Sequence, residues 1–519
     1  MTVRLRARAG RVGDALFSPG VALGVLALLI GVALFSRFGI DEELRRDEAI
    51  YAYGGQQLAE GVPPYVSILD PKTPLATFLS GAAVVIGRAA GVDDLYAIRL
   101  AFFAFACLTV VAVYLAGMAL FRSPLVGLVA AATFATFKGF AIDALSGPNA
   151  KTPGILFAVL ATALLVQRRW FWAGVASSLA LLVWQPLFIY VLVAVAAAWL
   201  GSEREERVRH ALLAIAGAAI PGFVVLVYFV AAGALGNLIE GALLLPLTGT
   251  ERGETTLIGR VEHIASTVAR EYGFSAIFFW SGLFLLPLLA GQRLWQERAR
   301  PGALAREPLI TVMLPPLLFI TAFSLVDFQG YPDAYPFLPL AALGVGGAVA
   351  AGLALLEDRG ARPAAMALAC AGTFALVVAT WAWYSQARPE AGVLIAQRMQ
   401  AAAAEQILGD DGTVYALGNS APLVLMQRTN PSSNIYLAAG LDQWVIDHTA
   451  GGFDGWTSQI AADMPDMVVS NGWTGGYAAR MRDWLRSRYS IVRIGGEPFF
   501  VTPELRERAI DTGVAASPR

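Results

Sequence analysis

Apolar runs of about twenty residues recur along this chain, and each is long enough to cross about 30 Å of hydrocarbon as a helix. Lipid offers a backbone N–H or C=O no partner, so only helices and closed barrels cross it, and runs of this length are helical. Eleven crossings are read at 20–38, 96–121, 124–144, 153–167, 170–184, 186–200, 211–232, 274–292, 308–326, 335–355 and 363–384. Charge is correspondingly scarce: 15% of the 519 residues are Asp, Glu, Lys or Arg, against about 25% in a soluble chain. The expected class is an α-helical polytopic membrane protein. A net charge of −1 gives no general attraction to nucleic acid, and none is expected as a partner. Cys107 and Cys370 both fall inside apolar runs and imply no disulfide framework.

Arginine sets the expected topology. The start is basic (Arg4, Arg6, Arg8, Arg11), and the run after it is longer than a signal-peptide core and lacks a small-residue cleavage site, so it reads as a retained first helix. The Arg-rich linkers are 1–14, 167–169, 202–210, 292–306 and 357–362. Eleven crossings from a cytoplasmic N-terminus put all of them inside, as the positive-inside rule requires. The outer face then receives 39–95, 145–152, 233–273, 327–334 and everything after 385. The run 75–90 has two readings, a further span or an interfacial or re-entrant helix within the first outer loop. Its glycines, Gly81 and Gly87, and Arg88 near its end favour the second.

Residues 386–519 are mixed in composition. Short β-rich runs (413–417, 467–470, 490–494, 499–502) alternate with helical stretches (390–408, 477–488), the pattern of a small extracytoplasmic α/β domain beside a transmembrane domain at 1–385.

Charged groups near hydrocarbon are costly, so a cluster of them at a membrane face is a functional candidate. Asp47 and Glu48 follow Arg45 and Arg46 just beyond the first span, with Tyr51, Tyr65, Asp70 and Lys72 downstream. The chain has only three lysines (Lys72, Lys138 and Lys151) among 38 basic residues, and two of them fall in the first two outer loops. The second loop reads Asp143-Ala144-Leu145-Ser146-Gly147-Pro148-Asn149-Ala150-Lys151. Further outer groups are Glu240, Glu251, Arg252, Glu254, Arg260 and His263 in one loop, and Asp327, Tyr331, Asp333 and Tyr335 in another. Three widely spaced histidines do not make a metal site.

The order Asp-Glu, Tyr, a Pro-Tyr turn at Pro64-Tyr65, then Lys72-Thr73-Pro74-Leu75 before an apolar helix resembles the GT-C membrane glycosyltransferases. The branch it is most similar to includes the protein O-mannosyltransferases and the lipid A aminoarabinose transferases. The resemblance implies transfer of a sugar from a polyprenyl-phosphate donor to an acceptor hydroxyl, on the outer face of the cell membrane. It implies Asp47, beside Glu48, as the catalytic carboxylate that takes the acceptor proton. Lys72 matches the Lys-x-Pro position and is expected to hold the donor phosphate where charge accumulates, with Lys151 as a second phosphate contact. Tyr51, Tyr65, Asp70, Asn149, Asp333 and Tyr335 are the candidate substrate-binding residues. Asn149 stands where the family often has an acid, with Asp143 six residues earlier at the helix end, which weakens the case for a metal between two carboxylates. No cofactor and no metal are expected. The acceptor class, whether glycan, lipid or protein, stays open.

Plainer readings exist for each feature. Asp47 and Glu48 suit the first turn of any helix, Lys72 and Lys151 suit snorkelling anchors, and Lys138 suits snorkelling or a pair with Asp143. Trp170, Trp184, Tyr272 and Trp383, near span ends, suit interfacial anchors. A transporter or lipid flippase is the alternative function, but it would show two related halves with interrupted helices, and no duplication is visible. A membrane-anchored binding protein is the third reading, and it needs neither eleven spans nor a charged first loop. The C-terminal part contains no Trp-Trp-Asp, so transfer of a single sugar is expected over oligosaccharide transfer.

Overall fold

The computed structural model describes residues 19–248, 256–386, 392–438, 440–473 and 475–514. The basic start and Glu251, Arg252 and Glu254 lie outside the described residues. Helices come in the order α1 (Pro19–Phe35), α2 (Arg46–Ala59), α3 (Leu75–Ala89), α4 (Asp94–Phe121), α5 (Pro124–Ala135), α6 (Lys138–Ser146), α7 (Lys151–Val166), α8 (Trp170–Val183), α9 (Ile189–Leu200) and α10 (Arg207–Ala231). They continue with α11 (Leu257–Tyr272), α12 (Ala276–Glu297), α13 (Leu314–Val326), α14 (Phe337–Glu357) and α15 (Arg362–Gln386).

Six helical runs are long and apolar enough to cross a membrane: α4, α10, α11 with α12, Leu309–Val326, α14 and α15. Four other expected crossings fall on apolar helices shorter than 18 residues, namely α1, α7, α8 and the run Gln185–Leu200. The crossing expected at 124–144 is broken into α5 and α6, which meet at 73°. Thr133 and Thr136 turn their hydroxyls onto the carbonyls of Val129 (2.9 Å) and Thr133 (2.7 Å), in competition with the helical ladder, and Phe137 is extended. α3 has 15 residues and belongs to the same group of shorter apolar helices as α1, α7 and α8. Trp170, Trp184 and Tyr272 are not lipid-facing anchors: they are 7%, 8% and 0% exposed, packed among helices.

Close backbone approach holds the bundle and places the first outer loop. On α12 and α14, a Cβ at Gly282 would lie 2.0 Å from the Ala341 carbonyl oxygen, and one at Gly344 would lie 2.1 Å from that of Gly282. Such small-residue contacts let membrane helices pack without a hydrophobic drive between them. In α2, Gly54 and Gly55 each cost about 1 kcal/mol of helix propensity against alanine. They are there because α3 passes so near that a Cβ on Gly55 would meet the Ser80 Cβ at 2.6 Å.

The C-terminal part begins with α16 (Val393–Leu408) and carries β1 (Val414–Leu417), β2 (Met467–Ser470), β3 (Ser490–Ile494) and β4 (Glu497–Val501), in the order β1-β2-β4-β3. β1 and β2 are parallel and the other pairs antiparallel. Every residue of β1 and β2 is buried, as expected for strands covered on both faces. Gly495 and Gly496 both take positive φ (59° and 90°) in the turn of the β3–β4 hairpin, the conformation a tight primed turn requires. This unit is bonded to the first outer loop. Leu69 N donates to Ser433 O (2.9 Å), Asn430 N to the Tyr53 hydroxyl (2.9 Å) and Arg398 to Asp93 (2.8 Å).

Candidate active site

α2 begins at Arg46, and Glu48 reaches back to the Arg45 N–H at 3.4 Å, half of a capping box. Two acids in the first turn also suit the positive end of the helix. Successive residues are 100° apart, so Asp47 and Tyr51 share one face while Glu48 turns toward another.

Asp47 and Tyr51 look onto the segment Asp70–Thr73, which is pinned along its length. Tyr65 donates to the Lys72 carbonyl (2.6 Å), Gln185 to that of Pro71 (2.8 Å) and Thr73 to that of Leu181 (2.8 Å). The Asp70 carboxylate accepts from the Lys72 N–H at 3.2 Å. Lys72 is thereby presented on a fixed backbone, its Nζ 2.9 Å from the Tyr51 hydroxyl. Burial draws the Lys72 ammonium down, but Asp70, Tyr436, Asp47 and Asp333 outweigh it and hold the pKa above its ordinary value. For Asp47 burial pushes upward, yet Lys72, Arg46 and the Tyr436 hydroxyl leave the carboxyl below the ordinary 3.8. At neutral pH one is cationic and the other anionic.

The Asp47 side chain is 63% exposed. Its Oδ1 accepts from Arg46 Nε (3.3 Å) and from the Tyr436 hydroxyl (3.1 Å). Among the described residues no hydrogen bond reaches Oδ2, so that oxygen is open to an incoming hydroxyl.

Glu48 faces a second, buried cluster. At its centre is Asp143, 1% exposed, whose carboxylate accepts from Arg45 (2.6 Å), Tyr331 (2.7 Å), Tyr335 (2.6 Å) and Asn149 (2.8 Å). Arg45 also binds Glu48 and donates to the Tyr331 hydroxyl at 2.7 Å. Burial raises the Glu48 carboxyl above its ordinary value against the pull of Arg45. Lys151 pairs with Asp333, both side chains nearly buried, and lies 4.7 Å from the Trp184 ring centre. Asp333 in turn accepts from the Gln329 and Gly330 N–H groups at 2.7 and 3.1 Å.

The structure thus gathers Asp47, Tyr51, Asp70 and Lys72 in one group, with Tyr65 as a backbone clamp. Glu48, Asn149 and Tyr335 lie around Asp143, and Lys151 lies with Asp333. Asn149 is engaged by Asp143 and by the Lys151 N–H at 3.0 Å. Lys138 pairs with no carboxylate among the described residues and sits 5.7 Å from the Trp383 ring centre. Sequence reasoning missed Arg45 and Tyr436, and it left Asp143 as a helix-end residue beside Asn149. The four-residue spacing of Tyr331 and Tyr335 was the available signal, because it can direct two hydroxyls at one acceptor. Among the described residues no three His, Cys, Asp or Glu side chains are grouped to hold a metal ion.

The helical bundle, its charged loop after α1 and the small α/β unit together have the GT-C fold, shared with the solved structures that follow. Among solved structures, the ArnT of Cupriavidus metallidurans in the apo state is similar with a TM-score of 0.58 and 13% identity over 99% of this chain and 100% of that one. Its form bound to undecaprenyl phosphate gives 0.54 and 15%, over 96% and 99%. The apo oligosaccharyltransferase of Archaeoglobus fulgidus gives 0.51 and 14%, over 87% and 69%. At these identities the likeness is one of fold. No family model matches the chain, and no curated protein does.

Proposed function

We propose that the protein is an inverting glycosyltransferase that moves a single sugar from a polyprenyl-phosphate donor to an acceptor hydroxyl on the outer face of the cell membrane. The observation that carries this reading is an ionised, solvent-reachable Asp47 with a free Oδ2, beside a backbone-fixed Lys72, in a GT-C fold. A polyprenyl donor is further supported by the similar ArnT structure bound to undecaprenyl phosphate. Asp47 Oδ2 takes the acceptor proton as the acceptor oxygen bonds to the anomeric carbon. The carbon–oxygen bond to phosphate breaks, its electron pair leaves with the polyprenyl phosphate, and Lys72 stabilises that charge. The Lys151 charge is met by Asp333, which leaves Lys72 as the phosphate contact in this scheme. The scheme needs no metal, and turnover unchanged by chelator is expected. The same reading places the N-terminus in the cytoplasm and residues 386–519 outside.

Purified protein is tested with radiolabelled polyprenyl-phosphate sugars beside Asp47→Asn. Donor turnover by the wild type, and its loss in the variant at an unchanged melting temperature, is the expected result. Full activity in Asp47→Asn removes the base assignment. A wild type that turns over no donor shifts weight to transport, for which liposome flux is the measurement.

A further inference from the structure

We infer that the C-terminal unit supplies a positioning residue to the catalytic centre, Tyr436, which fixes the Asp47 carboxylate for proton abstraction. This rests on Asp47 being the general base. Asp47 stands at the open start of α2, and its other hydrogen-bond partner, Arg46, is bonded to Gly472 O of the same C-terminal unit. Tyr436 is the one hydrogen-bond partner that reaches Asp47 from a distant part of the chain among the described residues.

The local sequence explains why Tyr436 faces α2. In Ile435-Tyr436-Leu437 the two aliphatic residues are fully buried while Tyr436 is only half-buried and reaches Asp47 with its hydroxyl. That segment is tied on both sides: Gly418 N donates to Ile435 O (2.6 Å), and Leu69 N to Ser433 O (2.9 Å). Arg46 completes the frame, its guanidinium 5.4 Å from the Tyr436 ring centre and donating to Gly472 O at 2.7 Å.

With Oδ1 held by Tyr436 and Arg46, rotation of the carboxylate is restrained and Oδ2 is the oxygen presented. Orientation of this kind is what turns an encounter with an acceptor into a reactive one. A hydroxyl donating to Oδ1 also favours the charged form. The charged and titratable groups facing Asp47 are Arg46 and Tyr51 from α2, Asp70 and Lys72 from the outer loop, and Tyr436.

The test is Tyr436→Phe, read as kcat, donor KM and the acid limb of kcat/KM between about pH 3 and 6, the range in which a carboxylate titrates. The expected result is kcat lower by about tenfold, donor KM little changed, and the acid limb raised by roughly half to one pH unit, the scale of one neutral hydrogen bond. Thr429→Ala removes the Gln57 contact of the same segment and should leave the limb in place. Incorporation of 3-fluorotyrosine at 436, a more acidic phenol and stronger donor, should lower the limb; this arm keeps the test decisive where the phenylalanine variant does not fold. An acid limb unmoved by either change at 436, or moved equally by Thr429→Ala, overturns the inference. If Asp47→Asn is inactive while Tyr436→Phe matches the wild type, only this inference fails. If the wild type turns over no donor, the underlying reading has failed.

Discussion

Arg45→Met should convert the buried cluster into a pH-dependent weakness. The Asp143 and Glu48 side chains are 1% and 4% exposed, and Arg45 is the cation bonded to both. Methionine keeps much of the stem and removes the guanidinium, leaving two buried carboxylates close together without that charge. The Arg45 side chain is itself 36% exposed, so the loss is closer to that of a charge-assisted hydrogen bond, about 1.5–3 kcal/mol, than to that of a fully buried pair, and is still a sizeable share of the roughly 5–15 kcal/mol that stabilises a folded protein. Glu48, which burial already raises with Arg45 in place, then loses the charge that opposed that rise, and its folded pKa climbs further above the unfolded one. For groups raised in this way, stability is present at low pH and is lost as pH climbs through the folded values. The variant should therefore lie near the wild type at about pH 5 and fall away toward about pH 8, above the ordinary carboxylate range. At about 2.1 cal/mol/K of unfolding entropy per residue, 519 residues give roughly 1 °C per kcal/mol, and so a drop of about 1.5–3 °C at the higher pH. Thermal unfolding in detergent across that range is the assay. A drop of equal size at every pH, or none, would refute the reasoning.

Two further outcomes are expected. Lys72→Met should lower kcat by about 10²- to 10³-fold, as loss of one preorganised charge-stabilising group does, and should weaken binding of polyprenyl phosphate; unaltered donor use would exclude the phosphate contact. Gly282→Ala puts a methyl 2.0 Å from the Ala341 carbonyl oxygen and should cost about 1–3 kcal/mol by overpacking. The melting temperature should show this with the activity of the folded fraction intact, and a variant as stable as the wild type would contradict the close approach of α12 and α14.

Much of the architecture is local and was legible. The strands at 414–417, 467–470 and 490–494 follow short apolar runs set between polar turns. The crossings were legible as apolar runs but not as helix lengths, because the 73° bend between α5 and α6, where Phe137 is extended, leaves the run 124–144 apolar throughout and hydropathy does not register it. Asp47 and Lys72 are close in sequence and carry a recognisable motif, so their proximity could be anticipated. Asp143 could not be placed, because its donors come from Arg45 just before α2, from Asn149 and from the turn before α14, up to 192 residues away. Trp184 was misread for the same reason: its end-of-span position suggests lipid, and its Lys151 and Phe323 contacts are long-range.

The bond between Tyr436 and Asp47 spans 389 residues, and that between Arg46 and Gly472 spans 426. Synthesis at about 5–20 residues per second puts roughly 20–80 s between the two halves of the Tyr436 contact. Through that interval the nascent chain carries its charged outer loop with nothing above it, and contacts of such high order form slowly. The Tyr436 contact is made last, so a ribosome that stops short of it leaves a membrane-inserted protein whose Asp47 has Arg46, Tyr51, Asp70 and Lys72 around it but no hydroxyl on Oδ1.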